Sequence, residues 1–438
     1  MIGVVIAVAL AISIGIGYKT KINTGLIALC FAYLIGVFVM KMAPAEVIAL
    51  WPISIFFTIF AVTLFFQIAV TNGTLERLAE WLLYRSRRLS WGLAFVFLLV
   101  AVLLAALGAG FFGVMVFLTP AILLMCRRMR MAPLIGAICV ILGAEAGGNF
   151  MTSVNGVIYQ GMFRQEGATP STAFLYSVGV FFAFLAVVAV VTVEIVLYYR
   201  HRARRLGTPL ARPESVERPG TFTRQQIITL VLIGIFLVTL LVPNILHVTL
   251  PAATWIGSIV SKLDIGLLAV LFTVVGLLLG LSDSKATLAH VPWNILVMVS
   301  GMGIFVGVAV KAGTIKQIAA WLASGSIPGW LIPLTLALIS AIITSFSSFI
   351  GVTAPALFPV AALVAPLSGL NPLLLYIAVV VGGLLTAISP YSAGGAIVLG
   401  FTPEEERDEM FSRELFFGLP VLVGNALVFV LIFTALIR

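Results

Sequence analysis

Residues 52–82 read PISIFFTIFAVTLFFQIAVTNGTLERLAEWL, and residues 292–322 read PWNILVMVSGMGIFVGVAVKAGTIKQIAAWL. Ten of these 31 paired positions are identical, among them Pro52/Pro292, Phe65/Phe305, Gly73/Gly313, Thr74/Thr314, Trp81/Trp321 and Leu82/Leu322. Apolar composition alone pairs leucines with valines. It does not place a Gly-Thr and a Trp-Leu pair in one register. After a one-residue slip the echo continues through Pro120/Pro359, Pro133/Pro372, Gly143/Gly382, Ser153/Ser392 and Gly156/Gly395. The chain reads as one unit written twice. Internal repeats of opposite topology, with interrupted apolar segments in matching positions, point to a secondary transporter.

Composition agrees with that class. Of 438 residues, 62% are hydrophobic and only 9% charged, against about 25% charged in a soluble domain. Several apolar runs approach the ~20 residues that a spanning helix needs. The net charge of +9 therefore concerns topology, not nucleic acid, since the arginines sit between apolar spans. Cys30, Cys126 and Cys139 lie in apolar segments at no metal-ligand spacing, which suits packing. The N-terminus is apolar from Ile2, and Lys19 and Lys21 follow the first span. The expectation is a retained first helix with its N-terminus outside.

The predicted class is an all-α integral membrane protein with about ten spanning helices, two of them broken, and two re-entrant hairpins. The first repeat (1–199) holds helices 1–3, a hairpin at 92–126, broken helix 5 at 133–163 and helix 6. An Arg-rich linker (200–224) follows. The second repeat (225–438) holds helices 7–9, a hairpin at 329–366, broken helix 10 at 372–399 and helix 11. The first hairpin spans 35 residues, too long for one crossing and short for two. Both its flanks are basic (Arg85, Arg87, Arg88; Arg127, Arg128, Arg130), so it should open to the cytoplasm. The second has no Lys or Arg from Gln317 to Glu406 and should open outside. Ordinary through-helices are the simpler alternative for both. The layout leaves both termini outside a cell membrane, the bacterial inner membrane being the expected one.

Polar groups within the apolar spans fall in four places. They are the first hairpin tip (Gly108, Gly110, Gly113), the helix 5 break (Glu145, Asn149, Thr152, Ser153, Asn155), the second tip (Thr344, Ser345, Ser347, Ser348, Thr353) and the helix 10 break (Thr386, Ser389, Pro390, Ser392). Glycines and a mid-span proline free backbone groups, which must then line a protein-walled or watery cavity. Freed carbonyls suit Na⁺, here near Asn149, Ser153, Ser348 and Ser389; freed amides suit an anion. Packing between helices is the plainer role for the hydroxyls. Glu145 has three open roles: proton carrier, cation ligand, or structural acid. The histidines His201, His247 and His290 read as solvated loop residues. No HExxH motif, nucleophile elbow or metal cluster suggests an enzyme.

Two hairpins facing broken helices resemble the ion-transporter superfamily, which includes divalent anion/sodium symporters. The N-terminal third resembles the MatC-type malonate/dicarboxylate carriers, through residues 17–25 (GYKTKINTG), the run Ala49-Leu50-Trp51-Pro52, and residues 70–76 (VTNGTLE). The resemblance implies a secondary transporter of a small carboxylate, a C3–C4 dicarboxylate such as malonate. It would have no cofactor beyond Na⁺ or H⁺ as coupling ion, no nucleic-acid partner, the lipid bilayer as surroundings, and a homodimeric assembly. Two other readings stand beside it: a cation/proton antiporter using Glu145, and the membrane subunit of a binding-protein-dependent, TRAP-like transporter. The symporters carry Ser-Asn-Thr at both hairpin tips. Here the first tip is Gly-Ala-Gly-Phe-Phe-Gly and the second lacks the triplet, so only the location of their site carries over.

Overall fold

A computed structural model describes residues 2–20, 22–86, 92–128, 131–205, 218–249, 254–260, 262–324 and 327–437. Lys21, Arg87, Arg88, Arg130, Arg212 and Arg438, part of the charge pattern above, lie outside the described residues.

Every described element is helical. The first half contains α1 (Ile2–Thr20), α2 (Thr24–Tyr33), α3 (Pro44–Ile48), α4 (Ile53–Thr71), α5 (Thr74–Ser86), α6 (Leu93–Leu104), α7 (Gly110–Arg128), α8 (Pro133–Gly148), α9 (Val154–Gln165) and α10 (Pro170–Arg205). The second contains α11 (Arg224–Thr249), α12 (Thr254–Val260), α13 (Ile265–Leu278), α14 (Ser284–Ala289), α15 (Trp293–Lys311), α16 (Thr314–Ala323), α17 (Ile332–Phe346), α18 (Ala354–Ser368), α19 (Pro372–Leu384), α20 (Ala393–Phe401), α21 (Glu404–Arg413) and α22 (Leu419–Ile437). Among the described residues ten segments are long and apolar enough to cross a membrane. Three shorter apolar helices, Thr24–Val39, Pro133–Gly148 and Ile265–Leu278, accompany them.

The layering follows from which helices can hide every face. α8 and α19 are buried almost throughout and form the centre. Both begin with proline at the first turn, where the missing N–H costs nothing. α1, α11 and α22 turn apolar side chains such as Val8, Val238 and Leu436 outward, as lipid-facing helices do. α6 and α7 pack along α8, and α17 and α18 pack along α19.

Paired sequence positions adopt paired geometry. Pro52 and Pro292 precede α4 and α15 with φ/ψ of −78/68° and −76/67°. Gly73 and Gly313 turn the chain at φ of 72° and 75°. Gly143 of α8 lies against Leu98 of α6, where a Cβ would stand 2.7 Å from the carbonyl oxygen. Gly382 of α19 lies the same way against the Ala337 carbonyl of α17. Small residues let helix backbones approach closely in membranes.

The two hairpin turns are built differently. Gly108 (φ 92°) and Gly110 (φ 65°) reverse the chain between α6 and α7, with the Phe66 ring pressed on Gly108 where a side chain would stand. In the second turn Ser347 is extended, and the Ser348 hydroxyl accepts from Gly351 N at 3.2 Å. Several boundaries differ from those read off the sequence. The short helices α3, α12 and α14 are additional elements, and helix 2 ends in a π segment, Leu34–Val39. Helix 11 is preceded by charged α21 and a π turn, Glu414–Gly418.

Candidate functional site

The four interrupted stretches converge on one cavity of about 290 Å³. The first turn contributes Gly108, Gly110 and Gly113, and the second contributes Thr344, Ser347 and Ser348. The α8/α9 break contributes Glu145 and Asn155; the α19/α20 break contributes Ser392. Phe111, Phe112 and Phe349 supply apolar wall.

The remaining predicted residues stand behind this wall, in the structure that shapes it. Ser153 donates to the Ala105 carbonyl at 2.7 Å, and Ser389 donates to the Ser345 carbonyl at 2.9 Å. Each bond ties a break to a hairpin. Thr353 and Thr344 share a hydroxyl–hydroxyl bond of 2.9 Å. Ser345 and Thr386 bond back to their own helices, at Ala341 O and Gly383 O. Pro390 sits in the turn between the 3₁₀ segment Leu385–Ile388 and α20. Thr152 is fully buried, and its hydroxyl has no partner among the described residues. Of the four residues expected near Na⁺, only Ser348 reaches the cavity; Asn149, Ser153 and Ser389 do not line it.

Asn149 anchors a polar chain toward the cavity. Its Oδ1 accepts from Tyr159 OH at 2.9 Å and from Asn155 Nδ2 at 3.3 Å. Asn155 Nδ2 also reaches the Glu145 carboxylate at 3.4 Å. Tyr159 rests edge-on against Phe349 of the second hairpin turn. The carboxylate of the first half thus connects, through two amides and a phenol, to the second half. Asn149 Nδ2 is buried with no acceptor among the described residues.

Both half-helices present bare N-termini. Ser153 and Ser392 are the N-cap residues of α9 and α20, with φ/ψ of −86/170° and −88/169°. A serine there normally accepts from the amides of its own first turn. Neither does so here. Ser153 is spent on Ala105 O, and Ser392 donates to Ala387 O and Ser389 O, each at 2.8 Å. The first-turn amides at Val154–Asn155 and Ala393–Gly394 are left beside the cavity. Free amides at a helix N-terminus favour an anion.

Three polar lining residues escaped the sequence reading. Thr63 and Gln67 of α4 face the cavity, and Gln67 Oε1 has no partner among the described residues. The signal was a lone amide in an otherwise apolar span. His290, read as a plain loop residue, is exposed yet lines the cavity, its Nδ1 2.7 Å from Ala286 O. Among the described residues no Lys or Arg lines the cavity. Among the described residues no group of three or more His, Cys, Asp or Glu could hold a metal, so Na⁺ would need hydroxyl, amide and carbonyl oxygens.

Comparison with known families fits this geometry. The family model for the N-terminus of the dicarboxylate carrier protein MatC matches residues 1–148, ending where α8 ends. The citrate transporter model matches residues 255–437. The chain is similar to the MatC model over its first third and to the citrate-transporter model over its last two fifths, and both are models of membrane transporters. The resemblance read from residues 17–25 and 49–76 is thereby borne out. No curated protein matches the sequence. Among solved structures, the Alcanivorax borkumensis YdaH transporter is 19% identical, with a TM-score of 0.62 over 92% of this chain and 88% of that one. MtrF of Neisseria gonorrhoeae, from a class of antimetabolite efflux pumps, is 16% identical, with a TM-score of 0.56 over 90% of this chain and 84% of that one. At such identities the likeness is one of fold.

Proposed function

We propose that this transporter carries a small organic anion, a C3–C4 dicarboxylate such as malonate, by secondary active transport coupled to Na⁺ or H⁺. One observation carries the reading. Two uncapped half-helix N-termini, one from each half of the chain, meet at a single cavity. Two anion-favouring termini suit two carboxylates, and with no arginine among the described lining residues, dipoles, hydroxyls and amides are left to hold them. At about 290 Å³ the cavity sits at the small end of the range for small-molecule pockets. The family matches name dicarboxylate and citrate carriers.

The two halves, 1–199 and 225–438, are proposed to lie in opposite orientations in the bacterial inner membrane, as a homodimer with both termini outside. Support for the cytoplasmic face comes from contacts. Arg127 at the end of α7 bonds Glu406 of α21 at 3.0 Å, and Tyr198 and Tyr199 near the basic end of α10 pack on Phe417. Those ends therefore share one face, the one with the basic linker.

The test is uptake by the purified protein in liposomes, across labelled malonate, succinate and citrate, with Na⁺ or pH gradients imposed separately. Saturable, gradient-driven uptake of a dicarboxylate is expected. Cation-driven proton flux with no organic cargo would instead favour antiport through Glu145, the one carboxylate on the cavity wall among the described residues.

A further inference from the structure

Glu145 is not the only enclosed acid. Glu414 opens the π turn Glu414–Gly418 between α21 and α22, and its exposure is 0%. Neither of its carboxylate oxygens has a hydrogen-bond partner among the described residues. The other acidic residues at this end have different surroundings: Glu406 pairs with Arg127, and Glu409 pairs with Arg413. Arg127 and Arg413 are thus paired with carboxylates other than that of Glu414. The π turn packs on α8 and on the 3₁₀ segment Leu385–Ile388, the run that leads into the second break. Gly418 closes on Ile388, whose Cγ1 lies 3.3 Å from where a Cβ would stand. π turns insert one residue into the helical phase and recur at functional sites. Met410, buried four residues earlier on α21, sets the inward face that Glu414 continues.

We infer that Glu414 is a proton-binding site of the transport cycle, set one turn from the second break. An enclosed carboxylate without a basic partner is stable only with a proton or a cation on it. A metal cation needs several oxygen ligands. A proton needs one, and Glu414 is fully enclosed where the turn meets α8, α21 and the Leu385–Ile388 segment. Movement of the Leu385–Ile388 segment during alternating access would change the enclosure of Glu414 and so load or release its proton. The titratable groups on the elements packed around it are these. On α21 they are Glu404, Glu405, Glu406, Arg407, Asp408, Glu409 and Arg413, mostly exposed; on α8 they are Cys139 and Glu145; and on α10 they are Tyr198 and Tyr199, which reach the turn through Phe417, and the nearby Arg202. α22 and Leu385–Ile388 carry none. The inference goes beyond the choice of cargo and holds for any transported anion.

The full-length protein in lipid vesicles, titrated by infrared difference spectroscopy in heavy water, tests it without any cargo. The expected result is a carboxylic-acid carbonyl band that responds to pH, is absent in Glu414→Gln, is shifted but kept in Glu414→Asp, and persists in Glu145→Gln. Under a cargo gradient, a pH dye inside the vesicles should report proton movement at least tenfold lower in Glu414→Gln. A band indifferent to pH in the wild type would mean a permanently protonated structural acid and overturn the proposal, whether or not Glu414→Gln folds. Wild-type proton movement in Glu414→Gln would overturn it equally. A wrong assignment of the dicarboxylate leaves the infrared result readable, so the two failures stay distinct.

Discussion

Ser153 donates its hydroxyl to the Ala105 carbonyl at 2.7 Å, across 48 residues of chain. The bond fastens the break after α8 to the first hairpin turn. In the second half Ser389, not the sequence-equivalent Ser392, makes the matching brace to Ser345 O at 2.9 Å. Different serines thus do the same work in the two halves. Both braces are helix glue, worth on average ~0.6 kcal/mol in membranes. Ser153→Ala and Ser389→Ala should therefore lower thermal stability modestly and shift the half-saturating cargo concentration less than about threefold. Paired melting and uptake titrations check this. A tenfold shift would place these hydroxyls on the ligand.

Asn155 and Ser348 line the cavity from opposite halves. A hydrogen bond to a charged ligand is worth ~1.5–3 kcal/mol, or roughly ten- to hundredfold in affinity. Asn155→Ala and Ser348→Ala should each raise the half-saturating concentration by that order while expression and melting stay near wild type. If only the first-half variant responds, the anion does not sit between the halves.

The spans and breaks were legible because their signals are coarse. Charge depletion over a whole span and a glycine or proline inside it survive any detail of packing. The paired N-caps Ser153 and Ser392 were also legible, as an echo, but not their diverted hydroxyls, which depend on where Ala105 and Ala387 end up. Gln67 was hidden because one amide in an apolar span reads as tolerated. His290 was hidden because nothing local brings a loop residue to a cavity. Glu414 follows a run of charged residues, Glu404–Arg413, that reads as a solvated helix. The buried position within that run is Met410, four residues before Glu414, and one such position among charges is a weak signal.

Gly143 and Gly382 test whether the two halves are energetically equivalent. A Cβ at either would press on a neighbouring carbonyl, of Leu98 or Ala337. Overpacking of this kind costs about 1–3 kcal/mol. Gly143→Ala and Gly382→Ala should both lower the melting temperature by similar amounts. Gly234→Ala, where nothing lies within 4 Å, should not lower it. A large loss at only one of the two would show that the repeat is uneven in packing.

Orientation is checked by cysteine labelling in a background where Cys30, Cys126 and Cys139 are replaced. His201→Cys and Glu404→Cys should react with impermeant reagents from the cytoplasmic side. Glu166→Cys, in the turn between α9 and α10, and Ser368→Cys, at the end of α18, should react from outside. Labelling of Ser368→Cys and Glu404→Cys from one face would remove the opposed orientation of the two halves.

Among the described residues Glu145 is the carboxylate on the cavity wall, and a role of its charge in coupling can be tested directly. It is 7% exposed, lines the cavity, and takes one hydrogen bond, from Asn155. Helix 10 offers Leu384 at the equivalent place, so the shared architecture does not require an acid there. Glu145→Gln keeps the shape and the contact with Asn155 and removes the charge. It should fold, and it should lose at least tenfold of its ion-dependent accumulation. Glu194→Gln, on the exposed side of α10, should keep wild-type accumulation. Accumulation is measured under imposed Na⁺ and pH gradients in turn, so that the gradient whose effect disappears names the ion. Undiminished accumulation under both gradients would assign Glu145 to holding the break open and would leave coupling to Glu414 alone.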